Sequence, residues 1–214
     1  MLKIENWTVH GLDAAVHGMR NPMNSWERSD SHFAVVDGMD CRKKFVVGEK
    51  DRDLMMKLAK GGPVHAKYRR MVQVWVDITA PLYFWKEFDT YKVGTVANSC
   101  STMHTIHKRP LVLEDFSHEH LGKRGMAHLL RTINEINYHR EMYLEQNDKL
   151  SWWQMIQLLP SSFNQKRTVM MSYEVLTNIY RWRKDHRLDE WHTLCDWIRG
   201  LPCAEIIMME EEDT

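Results

Sequence analysis

A chain of 214 residues is long enough for one well-cored domain, and 43% hydrophobic with 27% charged residues is the balance of a soluble globular protein, not of a disordered or membrane chain. Its 29 basic and 29 acidic side chains give a formal net charge of zero, so nothing at whole-chain level calls for nucleic acid or an anionic membrane as a partner. Cys41, Cys100, Cys195 and Cys203 are far apart and form no C-x-x-C pair, which argues against a structural zinc, a redox pair or a disulfide scaffold.

The first residues lack an apolar stretch of signal-peptide length, and no 18-residue apolar run occurs, so a reduced cytoplasmic setting is the expectation. Residues 18–48 are rich in Gly, Asn, Asp and Ser with short apolar pieces at Phe33–Val36 and Phe45–Val47, which read as loops and short strands. From Asp51 to Lys60, Leu54, Met55 and Leu58 share one helical face and Gly61-Gly62-Pro63 ends it. Val72, Val74, Val76 and Ile78 then alternate with Gln73, Trp75, Asp77 and Thr79, the period of a half-buried strand. Pro81 opens an aromatic helix, Leu82–Phe88. Val93 to Ser101 is small and polar and reads as a loop closely approached by another segment. Helices are expected over His118–Gln146, Thr168–Arg183 and Leu188–Arg199, the last ended by Gly200 and Pro202. Strand signals come early and long helices late, which gives an α+β class: a small antiparallel sheet packed with long helices. The chain is read as a single domain, 1–214, with a frayed acidic tail at 209–214. Fifteen methionines and nine tryptophans suit a soft core and an aromatic surface, or else a flat-ring ligand or an oligomer contact.

Histidines at His104 and His107 (H-x-x-H) and at His118 and His120 (H-x-H, opening a helix) have spacings that twelve histidines produce by chance, and no metal site is expected. Ser99-Cys100-Ser101 with His104 one turn on offers nucleophiles, the plainer reading being a small buried cysteine in a tight loop. Arg181, Arg183, Lys184, His186 and Arg187 form a basic stretch interrupted by Trp182, read by default as a solvated helix face; aromatic–arginine interleaving is also what single-strand grooves use.

Taken together, Asp51-Arg52-Asp53-Leu54, the Gly-Gly, His65, the strand, Ala80-Pro81 and the aromatic helix follow an order that resembles the flavin-dependent thymidylate synthases, whose central motif is RHRxxSxNExSxRY. Here that position reads Thr90-Tyr91-Lys92 through Asn98-Ser99-Cys100-Ser101-Thr102-Met103-His104, with one residue inserted. Gln157-Leu158-Leu159-Pro160 is similar to the family's VLP turn, Ser172–Arg183 to its N-x-R-x-L-x-x-F-x-x-L-R helix, and Leu188–Asp196 to its AQ-x-EIR helix; Ala14-Ala15-Val16 with Arg20 is a weaker N-terminal echo.

The resemblance implies a homotetramer that binds FAD between subunits and methylates dUMP to dTMP, with methylenetetrahydrofolate as carbon donor and NADPH reducing the flavin. It implies catalytic and substrate-binding roles for Arg183 and Ser101, a substrate-binding role for Glu87 (a glutamine in the family), and cofactor-binding roles for His65, Lys92 and Asn178. The motif's two arginines and histidine are Thr90, Tyr91 and Lys92 here, and the arginine before the VLP turn is Ile156. Guanidinium grips phosphate through a planar fork that lysine replaces only in part. Each lost charge-assisted contact is worth about 1.5–3 kcal/mol, so FAD or dUMP affinity drops unless Lys166 and Arg167, or Arg181 and Lys184, make up the charge. The alternative reading is a non-catalytic oligomeric protein that binds nucleotide or flavin.

Overall fold

The computed structural model describes residues 2–35 and 43–209; Val36, Cys41 and the acidic tail from Glu210 lie outside them. In chain order the elements are β1 (Lys3–His10), α1 (Leu12–Arg20), β2 (His32–Val35), β3 (Lys43–Val46), α2 (Glu49–Lys60), β4 (Gln73–Pro81), α3 (Leu82–Phe88), β5 (Thr95–Ser99), α4 (Thr102–Thr105), α5 (Lys123–Gln146), α6 (Lys149–Gln157), β6 (Asn164–Ser172), α7 (Tyr173–Arg183), α8 (Asp189–Arg199) and α9 (Glu205–Met208). A four-stranded sheet runs in the order β1-β4-β6-β5, and β2 and β3 form an antiparallel pair in which Phe33 faces Phe45. This is the expected α+β architecture of a small antiparallel sheet with long helices. Among the described residues no helix is long and apolar enough to cross a membrane.

The described residues divide into two compact units. The first comprises 1–5, 77–90 and 97–168. Its core is a cluster of Ile106, Leu111, Phe116, Leu129, Ile133, Ile136 and Met155. Leu129, Ile133 and Ile136 lie four and three residues apart, one stripe of α5, and that stripe packs on α6. Asp148 caps α6 by accepting from the backbone N–H groups of Leu150 and Ser151. In α3, Phe84, Trp85 and Phe88 are all buried and meet ring to ring at 5.3–5.8 Å. The second unit comprises, of the described residues, 6–35, 43–76, 91–96 and 169–209 and is built from α1, α2, α7, α8 and α9. Met55, Tyr68, Tyr173, Leu176, Trp191 and Ile198 are among its fully covered side chains.

The alternation from Val72 to Ile78 is realised: the even-numbered side chains are buried, while Trp75 is 40% exposed. Four expectations are corrected. The segment Thr95–Ser99 is an edge strand, not a loop: the β-branched Thr95 and Val96 favour it, and just beyond it Cys100 N–H donates to the Lys166 carbonyl and Gln165 Nε2 to the Cys100 carbonyl, which draws the weaker formers Ala97 and Asn98 into the ladder. Thr168–Ser172 is strand too, and α7 begins only at Tyr173, where the Ser172 hydroxyl accepts from Val175 N–H. The helix expected from His118 starts at Lys123, with Gly122 extended at its cap, so His118 and His120 do not open it. Strands are not confined to the early chain, since β6 lies at 164–172.

The close approach expected at 93–101 is present at the start of that segment. Gly94 has φ +77°, and a Cβ there would stand 3.3 Å from Val175 Cγ2, so the chain before β5 runs tight against the first turn of α7.

Candidate functional site

The second unit carries a pocket of about 500 Å³ between the end of α1, the end of α2 and the turn that follows α2. Met19, Leu58, Tyr68 and Met71 make its walls mainly apolar, while His65 and Lys67 bring polar, basic groups to it. Its shape follows from local chemistry. Gly61 ends α2, and Ala66–Arg70 forms a 3-10 turn that buries Tyr68. The Tyr68 hydroxyl donates to the Met55 carbonyl at 2.8 Å, and burial pushes its phenol far above the ordinary tyrosine range, so the ring is a fixed neutral wall.

A buried charge pair holds the two helical walls together. Arg20, the last residue of α1, donates from Nε to Asp51 Oδ1 at 2.6 Å. Asp51 is fully buried in the first turn of α2, and its other oxygen accepts from the Ser29 hydroxyl at 2.5 Å, the Ser31 hydroxyl at 2.6 Å and the Asp30 and Ser31 backbone N–H groups. Burial alone would raise this carboxyl, but the hydrogen bonds of Ser29, Ser31 and Arg20 outweigh it and hold Asp51 below the usual carboxylate range.

Arg183, in the last turn of α7, is not the solvated residue that its basic stretch implied. Its Nε donates to the Tyr91 hydroxyl at 3.0 Å. Its guanidinium carbon lies 4.8 Å from the centre of the Trp191 ring and 5.7 Å from that of Tyr91, and the two rings meet edge to face at 5.9 Å. The expected exposed face does describe Arg181 and Trp182: the indole is 69% exposed, with the Arg181 guanidinium 5.4 Å above it. Lys92 and Asn178 are exposed in this same unit.

The remaining expected residues belong to the first unit. Glu87 is half-buried on α3, its carbonyl accepting from the Thr90 backbone and hydroxyl. Ser101 is exposed, with its hydroxyl 2.6 Å from His104 Nδ1, as the one-turn spacing implied. Cys100 beside it, the residue after the edge strand β5, is exposed rather than buried. Of the candidate compensating cations, the two in this unit are engaged: Lys166 pairs with Asp77 at 3.1 Å and Glu5 at 3.7 Å, while Arg167 pairs with Asp89 at 2.7 Å and lies 4.3 Å over the Trp85 ring. Among the described residues no group of three His, Cys, Asp or Glu side chains is placed to hold a metal, and His118 Nδ1 lies 2.8 Å from the Phe116 carbonyl.

Of the expected residues, then, His65 lines the pocket and Arg183 is clamped by an aromatic pair. Sequence reasoning missed Tyr91 and Trp191 as that pair. Tyr91 stood in the quoted motif, but Arg183, which it holds, lies 92 residues away, beyond any local pattern.

No protein-family model matches the chain, and no curated protein matches its sequence. Solved structures do match. The flavin-dependent thymidylate synthase ThyX of Helicobacter pylori, complexed with FAD and dUMP, is 17% identical at a TM-score of 0.63, over 94% of this chain and 93% of that one. A second structure of the same enzyme with FAD and dUMP gives 16% identity and a TM-score of 0.64 over 98% and 96%. The UMP/dUMP methylase PolB of Streptomyces cacaoi, bound with 5-Br dUMP, is 11% identical at a TM-score of 0.62 over 96% and 94%. Over nearly its whole length, the chain has the fold of the flavin-dependent thymidylate synthases.

Proposed function

We propose that this protein binds a pyrimidine nucleotide and transfers a one-carbon unit to its base with the help of a reduced flavin, as the flavin-dependent thymidylate synthases do. The observation that carries this reading is Arg183: within a fold shared with a dUMP-complexed synthase and a UMP/dUMP methylase, an arginine at the end of α7 is held in a fixed plane by Tyr91 and Trp191. A planar guanidinium fixed in this way is suited to the coplanar oxygens of a pyrimidine or to a phosphate. In this reading Arg183 orients the nucleotide, dUMP or UMP.

The pocket at His65 suits the flavin. Its volume lies within the about 300–1,000 Å³ usual for small-molecule sites, and its apolar walls match a planar ring, with His65 and Lys67 available to polar atoms. Lys92 and Asn178 are the further cofactor contacts. When bound, FAD supplies the electrons for reducing the transferred carbon, with methylenetetrahydrofolate and NADPH as co-substrates and a homotetramer as the assembly. The chain's own task is to orient the nucleotide, hold the ring and exclude water.

A second reading, a nucleotide- or flavin-binding protein without synthase activity, is favoured by the phosphate side of the site. Thr90-Tyr91-Lys92 offers one cation, and Lys166 and Arg167 are engaged by Asp77, Glu5 and Asp89.

The test is direct. The purified protein is expected to take up FAD, seen as flavin absorbance, and to gain thermal stability with dUMP or UMP. Arg183→Ala is expected to weaken nucleotide binding at least tenfold with the fold retained. A colourless protein whose melting temperature responds to neither FAD nor nucleotide sinks the proposal. Binding without turnover, in the presence of the folate and a reductant, selects the second reading.

A further inference from the structure

We propose that Tyr91 is a positioning residue for the nucleotide site, acting through Arg183; the proposal rests on the reading that Arg183 meets the nucleotide. Arg183 belongs to the last turn of its helix, where side chains are least constrained by the helix itself. An arginine there brings many rotamers, and the freedom it loses on binding lowers affinity. Three contacts remove that freedom beforehand: the Nε–H bond to the Tyr91 hydroxyl, the Trp191 face at 4.8 Å and the Tyr91 face at 5.7 Å.

Tyr91 can hold the arginine because its own backbone is held. Two residues on, Val93-Gly94 turns at φ +77°, with Gly94 close against Val175, and Thr95 N–H closes the turn on the Lys92 carbonyl at 3.4 Å. Of the residues Gly94 approaches, Ser172 caps α7 and Val175 lies in its first turn, and the last turn of the same helix carries Arg183. The 91–96 segment is thus fastened to the helix that it serves. Trp191 is fully buried in α8 and meets Tyr91 edge to face, which fixes the ring plane and with it the direction of the hydroxyl. The phenol accepts from the guanidinium without adding a like charge beside it, as an arginine at this position would.

Three measurements on the full chain test this. In wild type, the Arg183 Nε–H resonance, assigned by its loss in Arg183→Lys, is expected to be protected from solvent exchange, and in Tyr91→Phe to lose that protection. Tyr91→Phe is expected to weaken dUMP or UMP binding about tenfold by calorimetry, with little change in melting temperature. In an Arg183→Lys background the same substitution is expected to have no further effect on affinity, a dependence that a merely structural tyrosine would not show. Unchanged affinity in Tyr91→Phe, or an equal loss in both backgrounds, overturns the proposal. A wild-type protein that binds neither nucleotide removes the functional reading instead; the exchange measurement then reports separately whether Tyr91 holds Arg183.

Discussion

Replacing Asp51 by asparagine is a demanding test of how the His65 pocket is held together. Asp51 presents only acceptors, and every group facing it is a donor: Arg20 Nε on one oxygen, and the Ser29 and Ser31 hydroxyls with two backbone N–H groups on the other. An amide must turn its NH₂ either to the arginine or to the four donors, so one side becomes a clash of donors whichever way it faces. It also leaves the Arg20 guanidinium, 5% exposed, without its counter-charge. Breaking one side of a buried pair costs about 3–5 kcal/mol, against a total stability of about 5–15 kcal/mol for an ordinary domain. Asp51→Asn is therefore expected to shift the urea midpoint sharply at pH 7 and to weaken any ligand held between α1 and α2. The double substitution Arg20→Met with Asp51→Leu, which removes both charges, is expected to be less destabilised than Asp51→Asn. A loss below about 1 kcal/mol for Asp51→Asn, or a double variant worse than the single, refutes the reasoning.

The same carboxylate sets a pH dependence. Its folded-state pKa lies below the unfolded value of about 3.9, so its contribution is complete above that value and is lost as pH falls through the folded one. The stability gap between wild type and Asp51→Asn, followed by denaturation from pH 7 to pH 3, is expected to narrow only near the acid end; a gap that narrows already between pH 7 and 5 contradicts this assignment. Thiol chemistry separates the cysteines: burial pushes Cys195 and Cys203 up to about 11, while Cys100 is exposed. Alkylation at pH 8 mapped by mass spectrometry is expected to mark Cys100 well before either, and comparable rates at the three sites count against the packing described.

How far the sequence reached depends on which forces are local. The β4 strand was legible because period-2 alternation is written in adjacent residues, and α2 because Gly61 stops it. The strand at Thr95–Ser99 was not, since only Thr95 and Val96 of its five residues favour a strand and its pairing is with β6, some 70 residues on. The start of α5 was misplaced because Leu121 continues the helical register of Leu129, Ile133 and Ile136, yet it is 42% exposed and lies outside the helix. At the site, the turn bearing His65 could be read from the Gly-Gly before it. The expected fates of Lys166, Arg167 and Arg183 could not, because each is decided by a partner distant in sequence: Asp77, Asp89 and Tyr91.

The two cations of β6 have a consequence for solution behaviour. Successive strand residues point to opposite faces, so Lys166 and Arg167 meet different anions, Asp77 with Glu5 on one side and Asp89 on the other. A polyanion binds by displacing mobile counterions from accessible cations, and the strength of that effect scales with how many it can reach. A cation already facing a carboxylate of its own chain has fewer mobile counterions to release when a phosphate backbone approaches. Both cations of this strand thus already face carboxylates of their own chain.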